Sequence, residues 1–127
     1  VYTVLPPLVD LTTNTHVFHT GWMPHARMHT VWLLGVTSGV GLMALYLLWN
    51  PGPDARFRRN LTGLLSIIVL GAFYLSAFTV SLYGGSLSDV TGGVEAGPSG
   101  IDANVFTFTL ATIILLTGWW LSSRGRT

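Results

Sequence analysis

Charged side chains are absent from three long apolar stretches of the chain, residues 30–49, 61–83 and 105–121. Each approaches or exceeds the roughly 20 apolar residues that a helix needs to cross a bilayer. A helix on the surface of a soluble bundle would alternate apolar and polar faces; these stretches do not. They predict three transmembrane helices. Residues 1–18 start apolar, but Pro6 and Pro7 interrupt them and Asp10 sits in their middle. A helix over residues 7–18 would be about 18 Å long, short of the roughly 30 Å of hydrocarbon. The expectation is a fourth, shorter or incomplete membrane segment. A signal peptide is not expected, because there is no basic leader and no small-residue cleavage site.

Composition agrees with this pattern. Of the 127 residues, half are hydrophobic and 9% are charged, against about 25% charged in a soluble domain. The mean hydropathy is +0.56. Cysteine is absent, which excludes disulfides, thiolate metal sites and cysteine nucleophiles. A net charge of +1 with no basic run offers nothing to bind a phosphate backbone, so nucleic acid is not an expected partner. The fold class is all-α: a polytopic integral membrane helical bundle, one domain over residues 1–127, whose first partner is the lipid bilayer.

The polar segments set an orientation. Residues 50–60, NPGPDARFRRN, read as a tight turn carrying Arg56, Arg58 and Arg59, and the C-terminal tail carries Arg124 and Arg126. Two helices separate these segments, so both fall on one side, which the positive-inside rule makes cytoplasmic. The opposite side receives a Gly/Ser-rich loop, residues 84–104, with Asp89, Glu95 and Asp102. Two readings of this loop stand: a flexible outer connection, or a lid that brings acids over the histidines. Trp22, Trp32, Trp49, Trp119 and Trp120 lie near predicted helix ends, with Tyr46 and Tyr83, as an interfacial aromatic belt requires. Gly35 and Gly39 form a G-x-x-x-G pair, and Ala72/Ser76 and Ala77/Ser81 offer a second small-residue seam. Such spacing permits close helix contact in lipid, so Gly35 and Gly39 are expected at a tight packing face, within the bundle, in self-association or against other membrane subunits.

Chemistry concentrates in one place. All four histidines, His16, His19, His25 and His29, fall within residues 16–29. Pro24 suits the first turn of a helix, where its missing N–H costs nothing, and the helix is expected to run over residues 24–48. His25 and His29 then share one face, continued by Trp32. Two imidazoles at this spacing can reach one metal ion, although the glutamate of the H-E-x-x-H motif is replaced by Ala26. The set His16, His25 and His29, with His19 as a further candidate, suits zinc, copper or iron. A haem or pigment needs only one histidine near an apolar face, and His29 is the best placed. Arg27 sits in a first helical turn, where the dipole disfavours a cation, so an anionic partner is expected: Asp10, an outer-loop acid or a lipid phosphate. The bland alternative for the histidines is hydrogen bonding to backbone, water or headgroups. Asp10 is an ionisable group in a membrane segment, which makes it a functional candidate. Asn14 would share its helical face, with Thr12, Thr13 and Thr15 completing a polar stripe, or the stripe serves helix–helix hydrogen bonding.

The run THVF…W-M-P-H-A-R-M-H resembles the signature T-H-x-F-N-P-x-W-P-P-H-A-R-F-H of an uncharacterised family of small bacterial and fungal four-helix membrane proteins. Thr15, His16, Phe18, Trp22, Pro24, His25, Ala26, Arg27 and His29 match; His19, Thr20, Met23 and Met28 depart from the pattern. The resemblance covers about fifteen residues. It implies a four-helix membrane protein with no assigned activity, groups His16, His25, Arg27 and His29, and makes His19 a weaker member of the group.

Three functions compete. The first is an accessory or structural subunit of a larger membrane complex, on the strength of small size and the lack of a complete catalytic motif. The second is a membrane-embedded enzyme acting on a lipid-like substrate, with Asp10, Asn14 and His16 as acid–base groups, since histidine titrates near neutrality. The third is a small metal-, haem- or pigment-binding membrane protein.

Overall fold

A computed structural model describes residues 2–14, 16–50, 52–87 and 100–124. The described residues form four α-helices and one 3-10 turn, with no strand among them: α1 is Leu5–Thr12, α2 Pro24–Trp49, α3 Ala55–Phe78, the 3-10 turn Val80–Tyr83, and α4 Ala103–Arg124. Three of the helices are long and apolar enough to cross a membrane. At 1.5 Å per residue, even the 22-residue α4 spans about 33 Å. The expected polytopic helical bundle with a shorter N-terminal helix is therefore the architecture of this chain.

Local chemistry sets the boundaries. Met23 is extended and Pro24 opens α2, as its fixed φ and absent donor favour. At the other end Asn50 precedes a proline, a position biased against helix. Its backbone N–H and its side-chain Nδ2 both turn back onto the Tyr46 carbonyl, each at 3.0 Å. Two predicted bounds need correction. Helix α3 starts at Ala55, so Arg56, Arg58 and Arg59 lie in its first turns and not in the connecting turn. Its α-helical part stops at Phe78. The Thr79 hydroxyl bonds the Leu75 carbonyl at 2.7 Å, the chain tightens into the 3-10 turn, and Gly84 closes it at φ 67°, a left-handed conformation cheap only for glycine.

The N-terminal helix is shorter than its apolar pattern suggested. It ends at Thr12, with Thr13 extended, and does not continue to Phe18. The Thr12 and Thr13 hydroxyls bond back to the Leu8 and Val9 carbonyls. Such side-chain bonds compete with helix propagation, and Asn14 is exposed in the turn beyond. The polar stripe joining Asp10 to Asn14 on one helical face is therefore not formed.

Helix α3 is the centre of the bundle, with α2 on one flank and α4 on the other. The start of α3 lies beside the end of α4: Arg59 donates to the Ser122 carbonyl at 2.9 Å, and Trp119 Nε1 donates to Asn60 Oδ1 at 3.2 Å. The connection after Asn50 likewise folds α3 back along α2, with Arg58 reaching the Asn50 carbonyl at 2.9 Å. The basic first turns of α3 and the end of α4 thus share one end of the bundle. The histidine segment at the start of α2 occupies the other.

The packing seam is not the expected one. A Cβ placed on Gly35 or Gly39 would meet nothing within 4 Å, and both glycines are exposed; neither mediates helix contact within the chain. Close approach occurs at Gly41, where an added Cβ would collide with Thr3, and at Gly63, where it would lie 2.8 Å from the Trp119 ring. Thr62, Gly63, Ser66 and Leu70 are the buried positions of α3, whereas Ala72, Ser76 and Ser81 are exposed. The N-terminal segment completes the core. Tyr2 packs with Leu70 and Ala111, and its hydroxyl pairs with Ser66 Oγ at 3.0 Å. A buried hydroxyl in an apolar interior needs such a partner.

Candidate functional site

The turn between α1 and α2 folds as a compact unit. The N–H of His19 bonds the His16 carbonyl at 3.1 Å, and that of Trp22 bonds the His19 carbonyl at 3.2 Å. Gly21 N–H donates to His19 Nδ1 at 3.1 Å. Arg27, from the first turn of α2, clamps this unit: Nε donates to the Trp22 carbonyl at 3.2 Å, and a terminal nitrogen donates to the His19 carbonyl at 2.9 Å. The anionic partner expected for Arg27 is thus replaced, within the chain, by two backbone carbonyls. The planar guanidinium carries several donors in a fixed fork, which suits it to hold two carbonyls of one loop.

The clamped turn carries His16 onto α1. His16 Nδ1 lies 2.9 Å from Asp10 Oδ1, and the Asp10 side chain retains 16% of its exposure against 36% for His16. The Trp22 ring meets the His16 imidazole edge-on, with centroids 5.5 Å apart. A carboxylate on one imidazole nitrogen fixes the ring's orientation and supports proton transfer at the other.

His16 also borders an open cleft of about 260 Å³ at the histidine end of the bundle. Its apolar walls are Phe73 and Ala77 from the end of α3, Val80 from the 3-10 turn, Phe108 from α4, and Leu87. Phe73 and Phe108 stack with centroids 4.1 Å apart. The polar lining comprises His16, Ser76, Tyr83, Ser86 and Asn104. Besides His16, Tyr83 and Asn104 are held in place. The Tyr83 hydroxyl donates to the Ser76 carbonyl at 2.8 Å, and the Asn104 amide reaches the Leu87 carbonyl at 3.4 Å. A concave site with a few fixed polar groups is the usual form of a small-molecule site, about 300–1,000 Å³ in volume. Just under that range, this mixed polar and apolar cleft suits a headgroup fragment or the end of an alkyl chain.

The expected convergence of His16, His25 and His29 does not occur. Among the described residues no group of three or more His, Asp or Glu side chains is gathered to hold a metal. The histidines divide instead. His16 pairs with Asp10 because α1 ends early and the turn brings it back. His25 and His29 pair with each other across one turn of α2, Nε2 to Nε2 at 3.0 Å. Trp32 continues that face, 5.8 Å from His29, as the helical spacing predicts. The Nε2 of His29, the atom a haem iron would take, lies against His25. His19 serves the turn through its carbonyl and Nδ1. Of the loop acids, Asp89 and Glu95 lie outside the described residues. Asp102 caps α4, accepting from the N–H groups of Asn104 and Val105 at 2.9 and 3.1 Å, a standard helix-start role.

The structure brings Asp10 and His16, both singled out in the sequence, into contact, beside walls that the sequence does not single out. In the sequence Tyr83 fits an aromatic belt and Ser76 a packing seam, while Phe73, Asn104 and Phe108 carry no signal beyond apolarity or loop position. No protein-family model matches the chain, and no curated protein or solved structure is detectably similar to it.

Proposed function

We propose that this small polytopic membrane protein binds a lipid-like amphiphile in the cleft at its histidine end, with Asp10 and His16 as the proton-transferring pair that meets the amphiphile's polar group. The observation that carries this reading is the Asp10–His16 contact at 2.9 Å on the border of an open cleft whose lining is mixed polar and apolar. An alkyl chain has the Phe73–Phe108 stack to lie on, and a polar head has His16, Ser76 and Asn104 within the same lining. A general acid–base role requires such a group within hydrogen-bond reach of the reacting atom, and His16 is the residue placed to provide it. Asn14, beyond α1, is given no part.

The test is lipid analysis of the protein extracted in native nanodiscs. A stoichiometric amphiphile should accompany the unaltered chain and be lost from Ser76→Phe, which fills the cleft, with the helical content unchanged. Retention of the same amphiphile in Ser76→Phe would refute the assignment.

A second reading, an accessory or structural subunit of a larger membrane complex, draws on a different observation. Helix α4 buries only Ala111 among its described residues, and Gly35 and Gly39 stand open on α2. These faces are where another membrane subunit or a second copy would seat. The T-H-x-F and P-H-A-R-x-H matches are the ground for placing the chain with the small four-helix family.

For orientation, we propose that the basic end is cytoplasmic and the histidine end faces outward. Arg56, Arg58, Arg59 and Arg124 lie at the basic end, with Arg126 two residues on in the sequence, and cytoplasmic segments carry the Lys/Arg excess. A reporter fused at Thr127 should be active only as a cytoplasmic reporter, and one inserted after Gly93 only as an external one. The opposite result would invert the topology.

A further inference from the structure

We propose that His25 and His29 form a two-imidazole chelate for a divalent transition-metal ion, distinct from the Asp10–His16 cleft. Both residues are exposed on the first two turns of α2, and their rings meet edge to face with centroids 4.5 Å apart. Their Nε2 atoms are 3.0 Å apart. Metal–imidazole bonds are about 2.0–2.1 Å long. Two nitrogens on adjacent positions of one ion, subtending roughly 90–110°, therefore lie about 2.9–3.4 Å apart. The two Nε2 atoms already hold that separation, and both rings turn their lone pairs toward the ion on binding it. A single proton shared between the rings produces the same contact, and the experiment separates the two.

The positive end of the α2 dipole lies at this turn, and Arg27, the nearest cation in sequence, spends its guanidinium on the His19 and Trp22 carbonyls. The same dipole works against a bound cation, and two protein ligands leave the remaining coordination positions to water or a headgroup oxygen. The affinity is accordingly that of an open site and not that of a closed four-ligand one. Imidazole ligands suit copper, nickel and zinc, and the order of affinity should follow Mn²⁺ < Ni²⁺ < Cu²⁺ > Zn²⁺.

The experiment is titration of the full chain in nanodiscs with CuCl₂ and, separately, ZnCl₂ and MnCl₂, read by calorimetry and, for copper, by tryptophan fluorescence. Trp32 lies 5.8 Å from the His29 ring, so Cu²⁺ at the pair should quench it. One Cu²⁺ per chain is expected, bound more tightly than Zn²⁺, with Mn²⁺ weakest. His25→Ala and His29→Ala should each weaken Cu²⁺ binding by more than about tenfold, the effect that even outer-shell changes reach at metal sites. His19→Ala and His16→Ala should leave it unchanged, as should Ser76→Phe, which separates this site from the cleft. Equal Cu²⁺ affinity in His25→Ala or His29→Ala, or no saturable binding at all, would overturn the proposal. Loss of binding in His16→Ala would overturn the two-histidine form of the site.

Discussion

Gly63→Leu should strip the bundle of its stable fold, while Gly39→Leu leaves it intact. At Gly63 even a Cβ would lie 2.8 Å from the Trp119 ring, and the ring is not free to move away. Its Nε1 is held by Asn60 one turn earlier on α3, and the neighbouring Arg59–Ser122 bond ties the same two helix ends. A leucine adds three more carbons in that space, so α3 and α4 must separate. Overpacking of a tight core by a single group costs about 1–3 kcal/mol, and this substitution exceeds that. Each kcal/mol shifts the melting temperature by several degrees in a domain of this size. In a detergent thermal-stability assay Gly63→Leu should lose roughly 10 °C or more, or fail to give a monodisperse species. Gly39→Leu should melt within about 2 °C of the unaltered chain, because nothing lies near it and leucine is the better helix former. Equal losses at both positions would mean that Gly39 faces a partner copy, and no loss at Gly63 would remove the described α3–α4 contact.

Arg27→Ala should release the turn between α1 and α2. Two charge-assisted hydrogen bonds to the His19 and Trp22 carbonyls disappear together. Bonds involving a charged partner contribute about 1.5–3 kcal/mol each, and partial exposure places the pair near 3 kcal/mol in total. Each 1.4 kcal/mol is a factor of ten in the opening equilibrium, so amide exchange over residues 19–22 should accelerate roughly 100-fold. Since His16 rides on this turn, its contact with Asp10 should loosen as well, and amphiphile retention should fall with it. Arg27→Lys should recover little, since a compact ammonium lacks the planar fork that holds both carbonyls. Exchange rates unchanged in Arg27→Ala would show that the turn is held by its own backbone bonds alone.

The membrane helices were legible because a missing property is easy to see: no charge interrupts residues 30–49, 61–83 or 105–121. The start of α2 was legible for a local reason, the fixed φ of Pro24, and so was the His25–His29–Trp32 face, which follows from helical periodicity alone. The end of α1 falls short of Phe18 because residues 12–16 are polar and the Thr12 and Thr13 hydroxyls take the last carbonyls, a competition that apolar character at Val17 and Phe18 does not reveal. The Gly35/Gly39 pair shows a different limit. Small residues four apart look alike whether they face a helix or open space. What distinguishes Gly41 and Gly63 is the arrival of Thr3 and Trp119, which are remote in sequence. His16 was grouped with His25 and His29 by proximity along the chain, yet the Arg27-clamped turn delivers it to Asp10. The cleft itself has walls from α3, the 3-10 turn and α4, so no single segment announces it.

The most direct measurement of the central claim is site mapping with a photoreactive alkyl amphiphile in nanodiscs, followed by mass spectrometry of the cross-linked peptides. Saturable labelling should concentrate on residues 73–87 and 104–108, be competed by excess unlabelled amphiphile, and drop in Ser76→Phe, with Asp10→Asn and His16→Ala weakening it through the polar head. Labelling spread along the exposed faces of α2, α3 and α4 in proportion to their exposure, and unaffected by competitor or by these substitutions, would mean that the amphiphile is bulk lipid and that the cleft holds no ligand.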